Sequence, residues 1–345
     1  MKVLFALPLS SNPFIEELRN SICLKSTEVE IGIHNFWDTQ KTYDIIHIHW
    51  PEALLDWKEP TQASLQALEQ KLLYWKQHSK IVVTRHNILP HNNRSSLYQD
   101  LYYVTYKYAA AIIHMGQSSL DDYIKRYKQS DELQVTKQQV IPHGLYTSYP
   151  NEITKTEARL KLGIGNERFV VLIFGRVRNR EEAKFALNTF QSIQIKNKLL
   201  LATQWYFSSN WWTNKAERFI NKYHPHYYLR TERVEVEQVQ TYFNAADVVF
   251  IPRLNNLNSG NLILGFAFHK VVVGPDFGVV GEILHTTHNP YFKTGDFRSA
   301  ADALTVGANL AQTDQGEKNF CFAQKNWNWN LVGEKHLSLY ESLFS

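Results

Sequence analysis

At 345 residues, 44% hydrophobic and 20% charged, the chain has a globular composition and a length that suits two domains of roughly 150 to 200 residues. No stretch approaches the roughly 20 apolar residues of a membrane-crossing helix. The net charge of +4 is uneven: residues 1–150 carry 15 Lys+Arg and 15 Asp+Glu, which leaves 22 of 37 cations and 18 of 33 acids for residues 151–345, an excess too small for a duplex nucleic-acid face but one that makes the second half the host for an anion.

In chain order, the opening "MKVLFALPL" reads as a first buried strand rather than a secretory signal, because Pro8 and the polar "SSNPFIEEL" follow it with no small-residue cleavage site. Further apolar, β-branched runs follow at 43–50 (YDIIHIHW), 80–88 (KIVVTRHNI), 110–116 (AAIIHMG) and 138–144 (QQVIPHG). Between them "PFIEELRNSICL" and "QASLQALEQKLLYWKQHS" space their apolar residues as helices do, with Asn12 and Pro13 as cap and first helical residue. The second half repeats the scheme, with strands at 168–175, 198–205, 247–253 and 270–276. Continuous apolar strands alternating with helices predict parallel sheets covered on both faces. The polar stretch 146–167, punctuated by proline and glycine, reads as the interdomain linker. Cys23 and Cys321 give neither a disulfide framework nor metal-ligand spacing, which fits a reducing cytoplasm.

In open α/β sheets ligands sit beyond the carboxyl ends of the strands. The first half ends its strands in His47, His49 and Trp50, then His86 and Asn87, then His114, then His143 and Gly144; the second half ends them in Gly175 and Arg176, Gln204, Arg253 and Asp276. A single histidine at a strand end is more often a hydrogen-bonded core residue than a site. Four strands ending this way weaken that reading for the group. With no His-x-x-x-His pair and no cysteine partner, no metal is expected.

The stretch "NNLNSGNLILGFAF" (255–268) leads from a strand through a polar turn into a helix that is apolar on every side, as a buried helix is. A helix start carries unsatisfied N–H groups and partial positive charge, and glycine there lets a ligand oxygen approach the backbone. Ser259, Gly260 and Asn261 thus form a cradle suited to a pyrophosphate, with helix capping by Asn258 or Ser259 as the competing explanation. Arg176, Arg178 and Arg180 begin the corresponding loop of the same domain and can fork around phosphate oxygens, although "VRNREE" also suits a solvated turn.

The succession "DIIHIHW", "TRHNILPH", "AAIIHMGQSS", "VIPHGLY", "LIFGRVRNRE", "ADVVFIP" and "NSGNLILGFAFHKVVVGPDFG" resembles the bacterial GT-B glycosyltransferases, most of all the family-4-like polysaccharide-assembly branch. The resemblance implies two Rossmann-like doubly wound domains facing across a cleft. It assigns 1–150 to the acceptor side, 151–325 to the nucleotide-sugar donor, and 326–345 to a last helix crossing back onto the first domain. It also implies transfer of a hexose-type sugar from a UDP or GDP donor to a saccharide or lipid-linked saccharide acceptor, with no metal or other cofactor; cysteine usage and charge add the expectation of a cytoplasmic enzyme with no nucleic-acid partner. By the same resemblance Gly175, Arg176, Arg178, Arg180, Arg253, Ser259, Gly260 and Asn261 face the donor diphosphate, and Val234 and Val236 lie by the nucleobase. Trp50, Asn87, His91, His114, His143 and Glu282 lie on the sugar and acceptor side. His86, His49 or Glu52 would serve as base in an inverting transfer; in a retaining one the leaving phosphate takes the proton and His86 or His114 positions sugar hydroxyls.

Many family-4 enzymes carry a Glu-x7-Glu pair where this chain has Asn256 and Leu264, and a lysine where it has Glu181 and Glu182. Two further readings therefore stay open: a catalytically silent GT-B subunit that binds a partner transferase, and a nucleotide-sugar epimerase of the same fold. Trp50, Trp205, Trp211 and Trp212 suit either stacking on sugars or core packing. Peripheral association with the inner face of a membrane is also open, through the helices at 98–109 and 72–77, although packing as amphipathic core helices explains them more readily.

Overall fold

A computed structural model describes residues 1–9, 12–23, 27–90, 95–134, 136–205 and 219–345. Two compact units emerge, the first formed by Met1–Gly144 with Trp327–Ser345 and the second by Leu145–Asn326. Each is built on a six-stranded sheet, and every strand pair in both is parallel.

In unit 1 the strands are β1 (Lys2–Phe5), β2 (Glu28–Ile31), β3 (Ile45–Ile48), β4 (Lys80–Arg85), β5 (Ala111–His114) and β6 (Lys137–Val140), in the order β2-β1-β3-β4-β5-β6. The central strands β3 and β5 are buried along their whole length, the consequence of helices covering both faces. β2 lies at the edge and alternates charged and apolar residues as EVEI. The last helix, Trp329–Glu341, packs on helix Pro13–Cys23. Gly144 lies so close under Trp329 that a Cβ there would fall 2.3 Å from its ring.

In unit 2 the strands are β7 (Phe169–Ile173), β8 (Lys198–Ala202), β9 (Tyr227–Leu229), β10 (Val248–Phe250), β11 (Val271–Pro275) and β12 (Tyr291–Phe292), in the order β12-β11-β10-β7-β8-β9. The order reverses between β7 and β10, the switch point beyond whose carboxyl strand ends doubly wound sheets take their ligands. The stretch read from sequence as a linker is folded into this unit. Helix Lys155–Leu162 opens with a reciprocal cap between Thr154 and Glu157. Its buried Arg159 donates to the carbonyls of Ala245 and Asn166 and to Asp247 at 2.8 Å. Asp247 in turn accepts from the Val170 amide, which ties the helix to the foot of β7 and β10.

Candidate functional site

The loops after β7 and β10 meet. Asn261, in the first turn of helix Gly260–Ala267, donates from Nδ2 to the Phe174 carbonyl at 2.5 Å. Gly175 follows with φ +78, a left-handed conformation that side-chain-bearing residues rarely adopt, and its amide donates to Thr203 Oγ1 at 2.8 Å. Ser259 is extended and its side chain makes no capping bond, so the N-cap side chain does not take up the partial positive charge of the helix start. The second glycine-rich turn holds this arrangement from below: Gly278 has φ +60, a Cβ there would meet the Leu257 carbonyl at 2.8 Å, and the Val279 amide donates to that same carbonyl. Tyr146, which the sequence pattern did not single out, brings its hydroxyl to 3.2 Å from where a Cβ on Gly260 would stand.

The four arginines divide. Arg176 is exposed beside Gly175. Arg253 is buried and occupied: Nη1 donates to Glu182 Oε2 at 2.5 Å and Nη2 to the Arg176 carbonyl at 2.6 Å. Its role is to hold the loop. Glu182 also accepts from the Arg178 amide at 3.0 Å, and Asn179 caps the helix Arg180–Ser192 through the Glu182 amide. Arg178 is half-buried with its guanidinium 4.0 Å from Glu182, and burial, then Arg253, pulls its pKa down to about 10. Arg180 lines a different cavity, of about 730 Å³, with Trp205 and Tyr227. Val234 is half-buried before helix Val236–Ala245, Val236 is exposed at its start, and Glu282 is half-buried on helix Gly278–Thr286. Asn256 and Leu264, in place of the paired glutamates, are both buried.

In unit 1 the imidazoles form a packed cluster. His47 is enclosed, bonded through Nδ1 to the Tyr340 hydroxyl and through Nε2 to Thr84 Oγ1, both at 2.7 Å. His49 is equally buried; its Nδ1 lies 3.3 Å from His86 Nε2, and its own Nε2 has no partner among the described residues. Phe14 packs against His49, His86 and His143. His114 bonds Ser119 and Gln138, and His143 bonds the Gly144 carbonyl. Burial is the first cause that lowers all these imidazoles, His86 to about 3, His114, His143 and His336 to about 4, and His47 and His49 well below their ordinary value. They are neutral at physiological pH. Of the three base candidates only His86 is part-exposed, beside the part-exposed Asn87. It stacks on Trp50 at 4.3 Å and 21°. Glu52 is buried in the turn Pro51–Leu55, accepts from the Tyr102 hydroxyl at 3.1 Å, and has its pKa raised by burial. His91, Trp211 and Trp212 lie outside the described residues. Among the described residues no three His, Cys, Asp or Glu side chains converge as metal ligands do, and no helix is long and apolar enough to cross a membrane.

Solved structures match this arrangement over its whole length. Sucrose-phosphate synthase of Thermosynechococcus elongatus superposes with a TM-score of 0.71 at 15% identity, covering 99% of this chain and 98% of that one. The fold is GT-B. Anabaena HepE in complex with UDP-glucose shares it at a TM-score of 0.70 and 14% identity over 99% of this chain and 100% of HepE. A glycosyltransferase of Rickettsia africae shares it at 0.68 and 13% over 100% and 98%. No protein-family model matches the sequence, and no curated protein matches it. The GT-B likeness thus rests on backbone architecture, with the sequence diverged almost everywhere.

Proposed function

We propose that the chain is a glycosyltransferase that takes a hexose-type sugar from a nucleoside-diphosphate donor of the UDP or GDP type and passes it to a saccharide or lipid-linked saccharide acceptor in polysaccharide synthesis. The observation that carries this reading is the Asn261–Phe174 bond, which sets Gly175 and Arg176 beside an uncapped helix start at the switch point of unit 2. The diphosphate would lie there, its negative charge met by the helix amides and the Arg176 guanidinium in place of a metal ion. Support comes from HepE, which shares the fold and whose structures hold UDP and UDP-glucose. Unit 1 would recognise the acceptor. A base works best with a pKa near the operating pH, and His86 at about 3 is far from that; its part in the reading is to hydrogen-bond a sugar hydroxyl, steered by His49, while the leaving phosphate accepts the proton.

The buried Asn256 and Leu264 favour one second reading, a silent GT-B subunit that binds donor without transfer. Thermal-shift titration against UDP-glucose, GDP-mannose and their free diphosphates tests donor binding. A ligand at a hundred times its dissociation constant adds about 2.7 kcal/mol of stability. Stabilisation by one of them that disappears in Arg176→Ala supports the donor site; no stabilisation of the unaltered protein by any of them refutes it. Sugar release from the bound donor then separates transferase from silent subunit.

A further inference from the structure

After the turn Pro51–Leu55 the backbone turns left-handed twice in succession, at Asp56 (φ 55) and Trp57 (φ 60). Left-handed backbone is costly for a bulky side chain and settles naturally on glycine or asparagine. The hydrogen bonds that close the turn, from the Asp56 amide to the Ala53 carbonyl and from the Trp57 amide to the Glu52 carbonyl, need no particular side chain. Burial gives no reason for a tryptophan either, because Trp57 is 55% exposed. Neither the local backbone nor the core explains this residue, and a strained aromatic held in solvent is where function is to be sought.

Its surroundings say what it would meet. The Trp57 ring lies 6.2 Å from that of Trp50, which stacks in turn on His86 at 4.3 Å. The three rings form a strip running from open solvent to the part-exposed imidazole. The residues flanking Trp57 in the chain, Asp56, Lys58 and Glu59, are all exposed, with Asp56 3.7 Å from Lys58. Two acids to one base disfavour an anionic membrane surface, which selects cations around its aromatic anchors. Aromatic faces edged by carboxylates suit a neutral ring with an apolar C–H face and hydroxyls at its rim.

We propose that Trp57 and Trp50 are the stacking platform for a pyranose ring of the saccharide acceptor, with the Asp56 carboxylate accepting hydrogen bonds from its hydroxyls; this rests on the transferase reading above. The strain at Trp57 is then the cost of aiming an indole at the ligand. The test uses the whole labelled protein on an array of immobilised oligosaccharides, with Trp57→Gly, Trp57→Tyr and Arg176→Ala beside the unaltered chain. Glycine suits the left-handed position, so Trp57→Gly keeps or raises the melting temperature while glycan binding falls about 10-fold or more. Trp57→Tyr, which keeps an aromatic face, retains most of the binding. Arg176→Ala binds glycans normally and loses only stabilisation by UDP-glucose. Equal binding by Trp57→Gly and the unaltered protein overturns the platform, as does an array on which the unaltered protein retains nothing. Glycan binding that depends on Trp57, without any stabilisation by nucleotide-sugars, upholds the platform and removes the donor reading alone.

Discussion

Acid should unfold unit 1 while sparing unit 2. His47, His49, His114 and His336 are buried in unit 1 and uncharged there, burial lowering the last two to about 4 and the first two well below the ordinary value. In the unfolded chain each titrates near 6.5. The stability tied to their neutrality is therefore complete above pH 6.5 and declines as pH falls from there toward the folded values, because only the unfolded state binds the protons. By pH 5.5 a buried imidazole that stays neutral in the folded state has lost on the order of 1 kcal/mol, and the four together several kcal/mol, a large part of the stability of an ordinary domain. For a unit of this size that lowers the melting temperature by roughly 10 to 20 °C. The described histidines of unit 2, His224, His226, His269, His285 and His288, are all exposed and provide the internal control. Calorimetry from pH 7.5 to 5.5, with hydrogen exchange to assign each transition, reads both units in one experiment. A unit 1 transition that holds its temperature to pH 5.5, or a unit 2 transition that falls in step with it, would refute the reasoning.

Three further outcomes follow from the same geometry. Glu182→Ala leaves Arg253 buried and unpaired and should cost about 3 to 5 kcal/mol in unit 2 by denaturant titration, with nucleotide-sugar affinity falling as the Arg176 loop loses its anchor. Gly144→Ala places a methyl 2.3 Å from the Trp329 ring and should destabilise unit 1 by about 1 to 3 kcal/mol without changing UDP-glucose affinity. Gly260→Ala crowds the Tyr146 hydroxyl at 3.2 Å and should weaken UDP-glucose binding about 10-fold in calorimetric titration while the far-ultraviolet dichroism stays the same.

The central strands were legible because burial on both faces writes itself as unbroken apolar runs, as in "VVLI" and "DIIHI". β2, β9 and β12 were not. Each lies at a sheet edge and spans only two to four residues, too few for a periodicity to show. The turn after Phe174 and the start at Gly260 were readable from glycine and arginine at strand ends, but the Asn261 bond joining them spans 87 residues. Arg253 shows where such reading stops. A strand-end arginine has the same signature whether it awaits a phosphate or neutralises a buried Glu182. His47 is similar: its partner Tyr340 lies 293 residues away, and nothing local distinguishes a satisfied core imidazole from a free one. Trp57 escaped notice because backbone strain leaves no trace in composition.

The bond between His47 and Tyr340 also constrains birth at the ribosome. Unit 1 is assembled from the first and last parts of the chain, with all of unit 2 inserted between them. Its sheet emerges early, yet the helix that covers helix Pro13–Cys23 leaves the exit tunnel only after all of unit 2. The central unit can finish folding while the outer one still waits with an uncovered flank, so a nascent chain stalled before residue 327 should be captured by chaperones through its amino-terminal half.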